Sequence, residues 1–163
     1  MKQELPMKEK ILLLLLFFLL FTGFLMAQVP ISISKNTDMN FGTLAVSSSG
    51  GSVLLSASGS RTASGGVILP SFTGTVTAAQ FTVTGMPSYT YAITLPADFT
   101  LYESGVGPAS MIVNAFTSIP SATGSLTTGT ETILVGATLN AGPSQVAGSY
   151  TNAAGLEVIV NYN

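Results

Sequence analysis

The stretch Tyr89-Thr90-Tyr91-Ala92-Ile93-Thr94-Leu95 alternates large apolar residues with small or polar ones. Successive side chains of a β-strand point to opposite faces, so this alternation predicts a strand with one buried face. The C-terminus follows the same rule, with Leu156, Val158, Val160 and Tyr162 on one face. Similar patterns predict further strands at residues 31–34, 39–44, 52–57, 66–69, 80–84, 111–116, 132–139 and 145–150.

Clusters of Gly, Pro, Ser and Asn separate these segments and predict turns. After Gln28, no stretch rich in Glu, Lys, Leu and Ala shows helical spacing, so we predict an all-β domain. Short strands with such punctuation are typical of an antiparallel β-sandwich or a barrel. The unequal loop lengths and the strand number favour an immunoglobulin-like sandwich, and a small barrel is the alternative. The predicted turns are residues 47–51, 58–66, 85–88, 96–98, 104–108, 120–124 and 140–144.

Residues 1–27 have the parts of a secretory signal peptide. Three lysines precede a run of Ile, Leu and Phe at residues 11–21, and a small residue, Ala27, follows. We predict cleavage between Ala27 and Gln28, which leaves residues 28–163 as one exported domain. An uncleaved membrane anchor is the alternative, because the apolar stretch reaches the lower limit of a bilayer span. Both readings place the domain outside the cytoplasm, with the membrane involved only through the leader.

The composition excludes several classes of function. Residues 28–163 carry two basic and five acidic residues, a net charge of −3, so no basic patch is available for nucleic acid. The 163-residue chain has no Cys, His or Trp, which excludes disulfides and every site that needs a thiol or an imidazole. With 47% hydrophobic residues the chain has the material for a core. We predict no cofactor.

The remaining candidates for chemistry use oxygen ligands or carboxylates. Asp98 and Glu103 lie five residues apart and are candidates for a glycosidase pair, although an exposed loop is the simpler reading. Asn36 and Asp38 offer oxygen ligands for calcium at a spacing that fits no known loop. Lys35 with Ser32 or Ser34 is a candidate Ser–Lys catalytic pair, but serines are so frequent in this chain that such proximity is expected by chance. We therefore predict no catalytic residue and no metal site. We predict that the protein is not an enzyme.

Two other groups of side chains are predicted to have structural roles. Glu131 and Glu157 lie beside alternating apolar residues and are predicted on the solvent face. The five tyrosines and five phenylalanines that follow the leader offer a carbohydrate platform, but most fall at core-facing positions.

Five short motifs resemble a known family. In chain order they are Met39-Asn40-Phe41-Gly42, Phe81-Thr82-Val83-Thr84-Gly85, Leu134-Val135-Gly136-Ala137-Thr138-Leu139, Gln145-Val146-Ala147-Gly148-Ser149-Tyr150 and Val158-Ile159-Val160-Asn161-Tyr162-Asn163. Together they resemble the bacterial secreted family catalogued as domain of unknown function 4402, over essentially all of the exported part. That family is similar, at a distance, to spore coat U domains and chaperone–usher pilins. The resemblance implies a pilin-like sandwich completed by an extended strand from a chaperone or a neighbouring subunit.

Strand addition of this kind needs a donor strand and an open edge. Val29, Ile31 and Ile33 alternate with small residues after the predicted cleavage site and are the candidate donor strand. Leu156, Val158, Val160 and Tyr162 are the candidate edge strand. A self-contained sandwich, with residues 29–34 as its own first strand, is the alternative.

The sequence thus predicts an exported structural or adhesive protein of the bacterial cell surface, such as a pilus or coat subunit. Its expected partners are copies of itself, a periplasmic chaperone or other surface subunits, and its expected location is the periplasm or the outer surface. The alternative is a monomeric extracellular module that binds a glycan or another ligand.

Overall fold

The computed structural model describes residues 6–12, 28–72, 74–104 and 107–163. Residues 7–12 form a short helix, and no helix within the described ranges is long and apolar enough to cross a membrane. Ala27 of the predicted cleavage site and most of the predicted leader lie outside the described residues. The strands are β1 (Ser32–Thr37), β2 (Ala45–Leu55), β3 (Arg61–Ile68), β4 (Ala79–Thr84), β5 (Tyr89–Thr94), β6 (Phe99–Glu103), β7 (Ser110–Ile119), β8 (Thr123–Leu126), β9 (Thr130–Ala141), β10 (Tyr150–Thr151) and β11 (Ile159–Tyr162).

The strands form two antiparallel sheets, which confirms the predicted all-β sandwich. The larger sheet has the order β1-β4-β9-β7-β6-β10, with β2 also paired to β9 and β3 paired to β2. The smaller sheet has the order β11-β5-β8. Strand β9 is central because its first half pairs with β4, its second half pairs with β2, and β7 pairs along its other side.

The buried side chains divide into two clusters along β9. We call the first region the closed half, because the smaller sheet covers the larger one there; its buried residues are Ala79, Phe81, Val83, Tyr91, Ile93, Leu126, Ile133, Val135, Val158 and Val160. We call the second region the open half, because none of its buried residues comes from the smaller sheet; they are Phe41, Val53, Leu55, Val67, Met111, Val113, Ala137, Leu139 and Ala141. Segments 39–46 and 145–156 cover the open half instead.

Two predicted strands are wrong, and both lie in the segments that cover the open half. Residues 39–44 form no strand beyond one bridge between Asn40 and Thr77, because the Asn40 side chain accepts the Gly42 N–H and Gly42 has a φ of 67°. In residues 145–150 only Tyr150 joins a strand. The Gln145 side chain instead donates to the carbonyl of Ser110 and accepts the N–H of Gly142, which fixes a loop.

The predicted turn at residues 47–51 is also wrong, because these residues belong to β2. Strands β2 and β3 approach closely at a bulge, where Gly51 faces Gly65. A Cβ on Gly51 would lie 2.3 Å from the carbonyl oxygen of Ser64, so the glycines serve the close approach. Strands β6 and β8 were not predicted: β8 has one large apolar residue, Leu126, and begins inside the predicted turn 120–124.

Candidate functional site

The candidate donor strand lies at one edge of the larger sheet. Residues 28–37, which we call the N-terminal arm, contain β1, and β1 pairs with β4 so that Ile33 lies opposite Val83. Ile31 and Ile33 are half-buried against the closed-half core, whereas Val29 is half exposed. In the structure the arm therefore occupies the first strand of its own sheet.

The candidate edge strand lies at one edge of the smaller sheet. Strand β11 pairs with β5, and no second partner strand is present among the described residues. Val158 and Val160 are buried and Leu156 and Tyr162 are half-buried, so all four residues face the core. The outward-facing Ile159 is 49% exposed, which leaves an apolar side chain on an unpaired edge.

The two terminal strands meet on one flank of the sandwich. Strand β1 contacts β11, although they belong to different sheets. The hydroxyl of Tyr162 donates to the carbonyl of Val29 at 2.9 Å and accepts the backbone N–H of Met86 at 2.6 Å. The flank therefore joins the N-terminal arm, the C-terminal strand and the turn before β5. We call it the terminal flank.

A cleft of about 1110 Å³ opens in the open half. Its walls are segments 39–46 and 145–156, and its floor contains Phe99, Leu101 and Met111 from β6 and β7. At one end the two walls are joined by a backbone hydrogen bond, in which the N–H of Ser144 donates to the carbonyl of Ser47. The cleft thus exposes part of an apolar sheet face between two irregular segments.

Side-chain hydrogen bonds hold each wall of the cleft. The Arg61 guanidinium donates to the carbonyl oxygens of Phe41 and Thr43, which anchors segment 39–46. Gln145 donates to the Tyr150 hydroxyl at 2.8 Å, and that hydroxyl donates to the carbonyl of Val146 at 2.7 Å, which anchors segment 145–156. The walls are therefore defined loops, although they contain little regular structure.

Comparison with known proteins identifies the chain through its family. The family described as Domain of unknown function (DUF4402) matches residues 31–162, a range that contains all eleven strands. The chain belongs to this family. It matches no curated protein and no solved structure. The match confirms the family resemblance and includes both strands of the terminal flank in the DUF4402 domain.

The DUF4402 domain separates the two candidate carboxylates. Asp98 directly precedes β6 and Glu103 is its last residue, so their Cα atoms lie about 17 Å apart at the rise of an extended strand. A glycosidase holds its two carboxyl groups within about 10 Å of each other, so these two do not form such a pair. Neither residue lines the cleft.

The residues considered for calcium are used differently. The Lys35 ammonium lies 2.5 Å from the Asp38 carboxylate, at the mouth of the cleft. Within the described ranges, no group of three or more Asp, Glu, His or Cys side chains is placed to hold a metal ion. The aromatic side chains divide as well: Tyr91, Phe41 and Phe81 are buried, but Phe72, Tyr89 and Tyr102 are exposed.

The predicted position of Glu131 on the solvent face is wrong. Its carboxylate is not on the solvent face but accepts the Tyr91 hydroxyl and the Ser125 backbone N–H, both at 2.7 Å. Tyr91 is fully buried, and burial, followed by the hydrogen bond and the charge of Glu131, raises the pKa of its phenol well above the usual value. The contact ties β9 of one sheet to β5 and β8 of the other.

The alternation in β9 contains the signal for this contact. Glu131 lies in the same period-2 row as Ile133 and Val135, which are both buried, so strand geometry points its side chain inward. Glu157 is exposed, as predicted. No comparable signal in the sequence indicates the contact between Tyr162 and Val29, because the two residues lie 133 positions apart.

Proposed function

We propose that this DUF4402 chain is an exported, non-enzymatic structural or adhesive protein of the bacterial cell surface, and that its copies associate through exchanged β-strands. One observation carries the proposal: both terminal strands, β1 and β11, are edge strands and lie together on the terminal flank. An edge strand presents backbone donors and acceptors that can pair with another chain. Its alternating apolar side chains then supply the specificity of strand addition.

The surface of the larger sheet supports the same proposal. On its outer face Ser64, Ser52 and Asn140 lie side by side on three paired strands, and the Ser52 and Ser64 hydroxyls lie 2.8 Å apart. Asn140 donates to the Asn114 side chain on the next strand at 2.9 Å. Neutral groups that already share hydrogen bonds cost less to bury against a neighbouring subunit than carboxylates do.

Export is the second component of the proposal. It rests on the basic start, apolar run and small residue of residues 1–27. Candidate partners are further copies of the chain, a periplasmic chaperone or other surface subunits.

The proposal is tested by the assembly state of residues 28–163 and of a shorter chain, residues 41–163, which lacks the N-terminal arm. Size-exclusion chromatography with light scattering should find oligomers of the longer chain. The shorter chain should stay monomeric and bind an added peptide of residues 28–37. A peptide with Ile31→Asn and Ile33→Asn is the matched control and should not bind. A longer chain that stays monomeric at high concentration contradicts association through exchanged strands.

A second candidate function, a ligand-binding module, is favoured by the cleft. Its apolar floor and hydrogen-bonded walls fit the general description of a small-molecule site. In this case a monomeric chain should show nuclear magnetic resonance shifts at Phe99, Leu101 and Tyr150 when a saccharide is added. Shifts confined to β4 on addition of the arm peptide would favour the structural function instead.

A further inference from the structure

The hydroxyl of Tyr162 is enclosed on the terminal flank by partners from two other segments. It accepts from Met86 and donates to Val29, so a donor and an acceptor are both satisfied. Gly85 provides the space, because a Cβ there would lie 2.4 Å from this hydroxyl oxygen. The Tyr162 ring packs edge-on against Tyr89, with 5.5 Å between ring centroids.

The Tyr162 contact holds the arm outside its paired region. Val29 lies three residues before the first residue of β1, and the pairing of β1 with β4 begins at Ser32. Within β1 the backbone pairs with β4, but the side-chain contacts are modest: Ile33 is half-buried, and the Ser32 and Ser34 hydroxyls reach carbonyls of β4 only at 3.4 Å. The register is also interrupted by a bulge between Lys35 and Thr37.

We propose that the Tyr162 hydroxyl is a latch for the N-terminal arm, and that its opening lets β1 of one copy replace β1 on β4 of a second copy. This inference rests on the proposed function, because it names the occupant of the β4 edge, once the arm has left it, as the same segment of another copy. The exchanged arm would make the contacts that the structure already shows. Ile33 would again lie opposite Val83, and the carbonyl of Val29 would again accept a hydrogen bond from a Tyr162 hydroxyl.

An exchange of identical strands has a particular energetic property. The contacts of the arm are the same in the closed monomer and in the exchanged pair, so concentration and the hinge decide between them. The hinge is the link between Thr37, where β1 ends, and Asn40, which is bridged to Thr77, so the contacts of Arg61 with Phe41 and Thr43 stay in place during exchange. The latch adds to the barrier for release without changing the final contacts. Its loss should therefore speed exchange more than it changes the final mixture.

Trypsin offers a direct measure of arm release. After the leader, the chain has two trypsin sites: Lys35 within β1 and Arg61 at the start of β3. Cleavage at Lys35 requires β1 to leave β4, whereas cleavage at Arg61 requires a different opening and serves as the internal control. When opening is fast, the rate of cleavage follows the population of the open form.

The experiment compares Tyr162→Phe with Tyr89→Phe in the full chain, expressed with its own leader and purified as exported. Both substitutions remove one hydroxyl and keep the ring. Tyr162→Phe removes both hydrogen bonds of this hydroxyl, but only the one to Val29 holds the arm. Its loss should raise cleavage at Lys35 roughly five- to tenfold, with Arg61 unchanged. Tyr89→Phe should behave as the unaltered chain. Native mass spectrometry of mixed isotope-labelled and unlabelled copies should show faster mixing for Tyr162→Phe.

The outcomes separate the latch from the proposed function. Equal cleavage at Lys35 in all three chains overturns the latch, whether or not oligomers form. A parallel rise at Arg61 also overturns it, because the substitution then loosens the whole domain. Faster cleavage at Lys35 in chains that never mix keeps the latch as an intramolecular contact but overturns strand exchange and, with it, the proposed function.

Discussion

In the closed half two sheets cover one core, whereas in the open half a single sheet is covered by two irregular segments. The closed half buries Leu126, Ile133 and Val135 completely, and a carboxylate joins its two sheets. The open half leaves Phe99 and Leu101 half-buried in the floor of a cleft. Both halves share a regularly paired sheet, but a second paired sheet covers the closed half, whereas side chains that anchor loops hold the cover of the open half.

The two halves differ in how readily they open. A completed core resists change, so the closed half is the part of the domain that can hold the terminal flank in place. The open half has fewer ladder hydrogen bonds in its cover, so local opening should occur there at lower free energy. Both halves share β9, which contributes buried side chains to each.

The largest predicted effect is the difference between two leucine substitutions. Leu126→Ala removes a fully buried side chain of the closed half and should lower the free energy of unfolding by about 2–5 kcal/mol. Leu101→Ala removes a half-buried side chain of the open half and should cost about 1 kcal/mol, since less apolar surface returns to water. Urea unfolding followed by circular dichroism measures both. Equal losses would mean that the cleft floor is as closed as the core.

The next effect concerns the carboxylate that joins the two sheets. Glu131→Ala leaves the Tyr91 hydroxyl and the Ser125 N–H without their partner and should cost about 1–3 kcal/mol. Glu131→Gln keeps one oxygen acceptor and should cost less. The matched control is Glu157→Gln on the exposed face of the same sandwich, which should change stability by less than about 0.5 kcal/mol. A control as costly as Glu131→Ala would contradict this account.

The same contact predicts how stability depends on alkaline pH. The pKa of the Tyr91 phenol is raised in the folded state, so the protonated phenol is favoured by folding. Its contribution is complete below the unfolded pKa of about 10 and is lost as the pH rises toward the folded pKa, at up to about 1.4 kcal/mol per pH unit. Tyr91→Phe should remove this part of the alkaline loss, and Tyr89→Phe should retain it. Urea titrations between pH 8 and about pH 11 test the difference.

The sequence predicts most strands of the core better than the two segments that cover the open half, for a physical reason. Strands β4, β5 and β9 have period-2 rows of apolar residues, because each has one face on the core. Segments 39–46 and 145–156 contain the same residue types, but their backbone is fixed by side-chain hydrogen bonds of Arg61 and Gln145. The contacts of Arg61 with Phe41 and of Gln145 with Ser110 join residues 20 and 35 positions apart, and a local pattern contains no trace of them.

The candidate site shows the same division. The alternation that runs through Val29, Ile31 and Ile33 marks the arm as a strand, and that of Val158 and Val160 marks β11. Their meeting on the terminal flank depends on the order of strands in two sheets, which the sequence pattern does not specify. The Tyr162 contact with Val29 depends on that order.

The smallest predicted effect tests whether charge contributes to the open half. Asp38 pairs with Lys35 at the mouth of the cleft, but its side chain is 78% exposed. Water and salt screen such a pair, so Asp38→Asn should change the free energy of unfolding by less than about 0.5 kcal/mol, and less still in 1 M salt. Glu131→Ala, measured in the same salt series, should keep most of its cost, because its carboxylate lies between the sheets. If Asp38→Asn costs as much as Glu131→Ala, the cover of the open half is held by charge. The two halves would then differ in the kind of interaction that holds them and not in its strength.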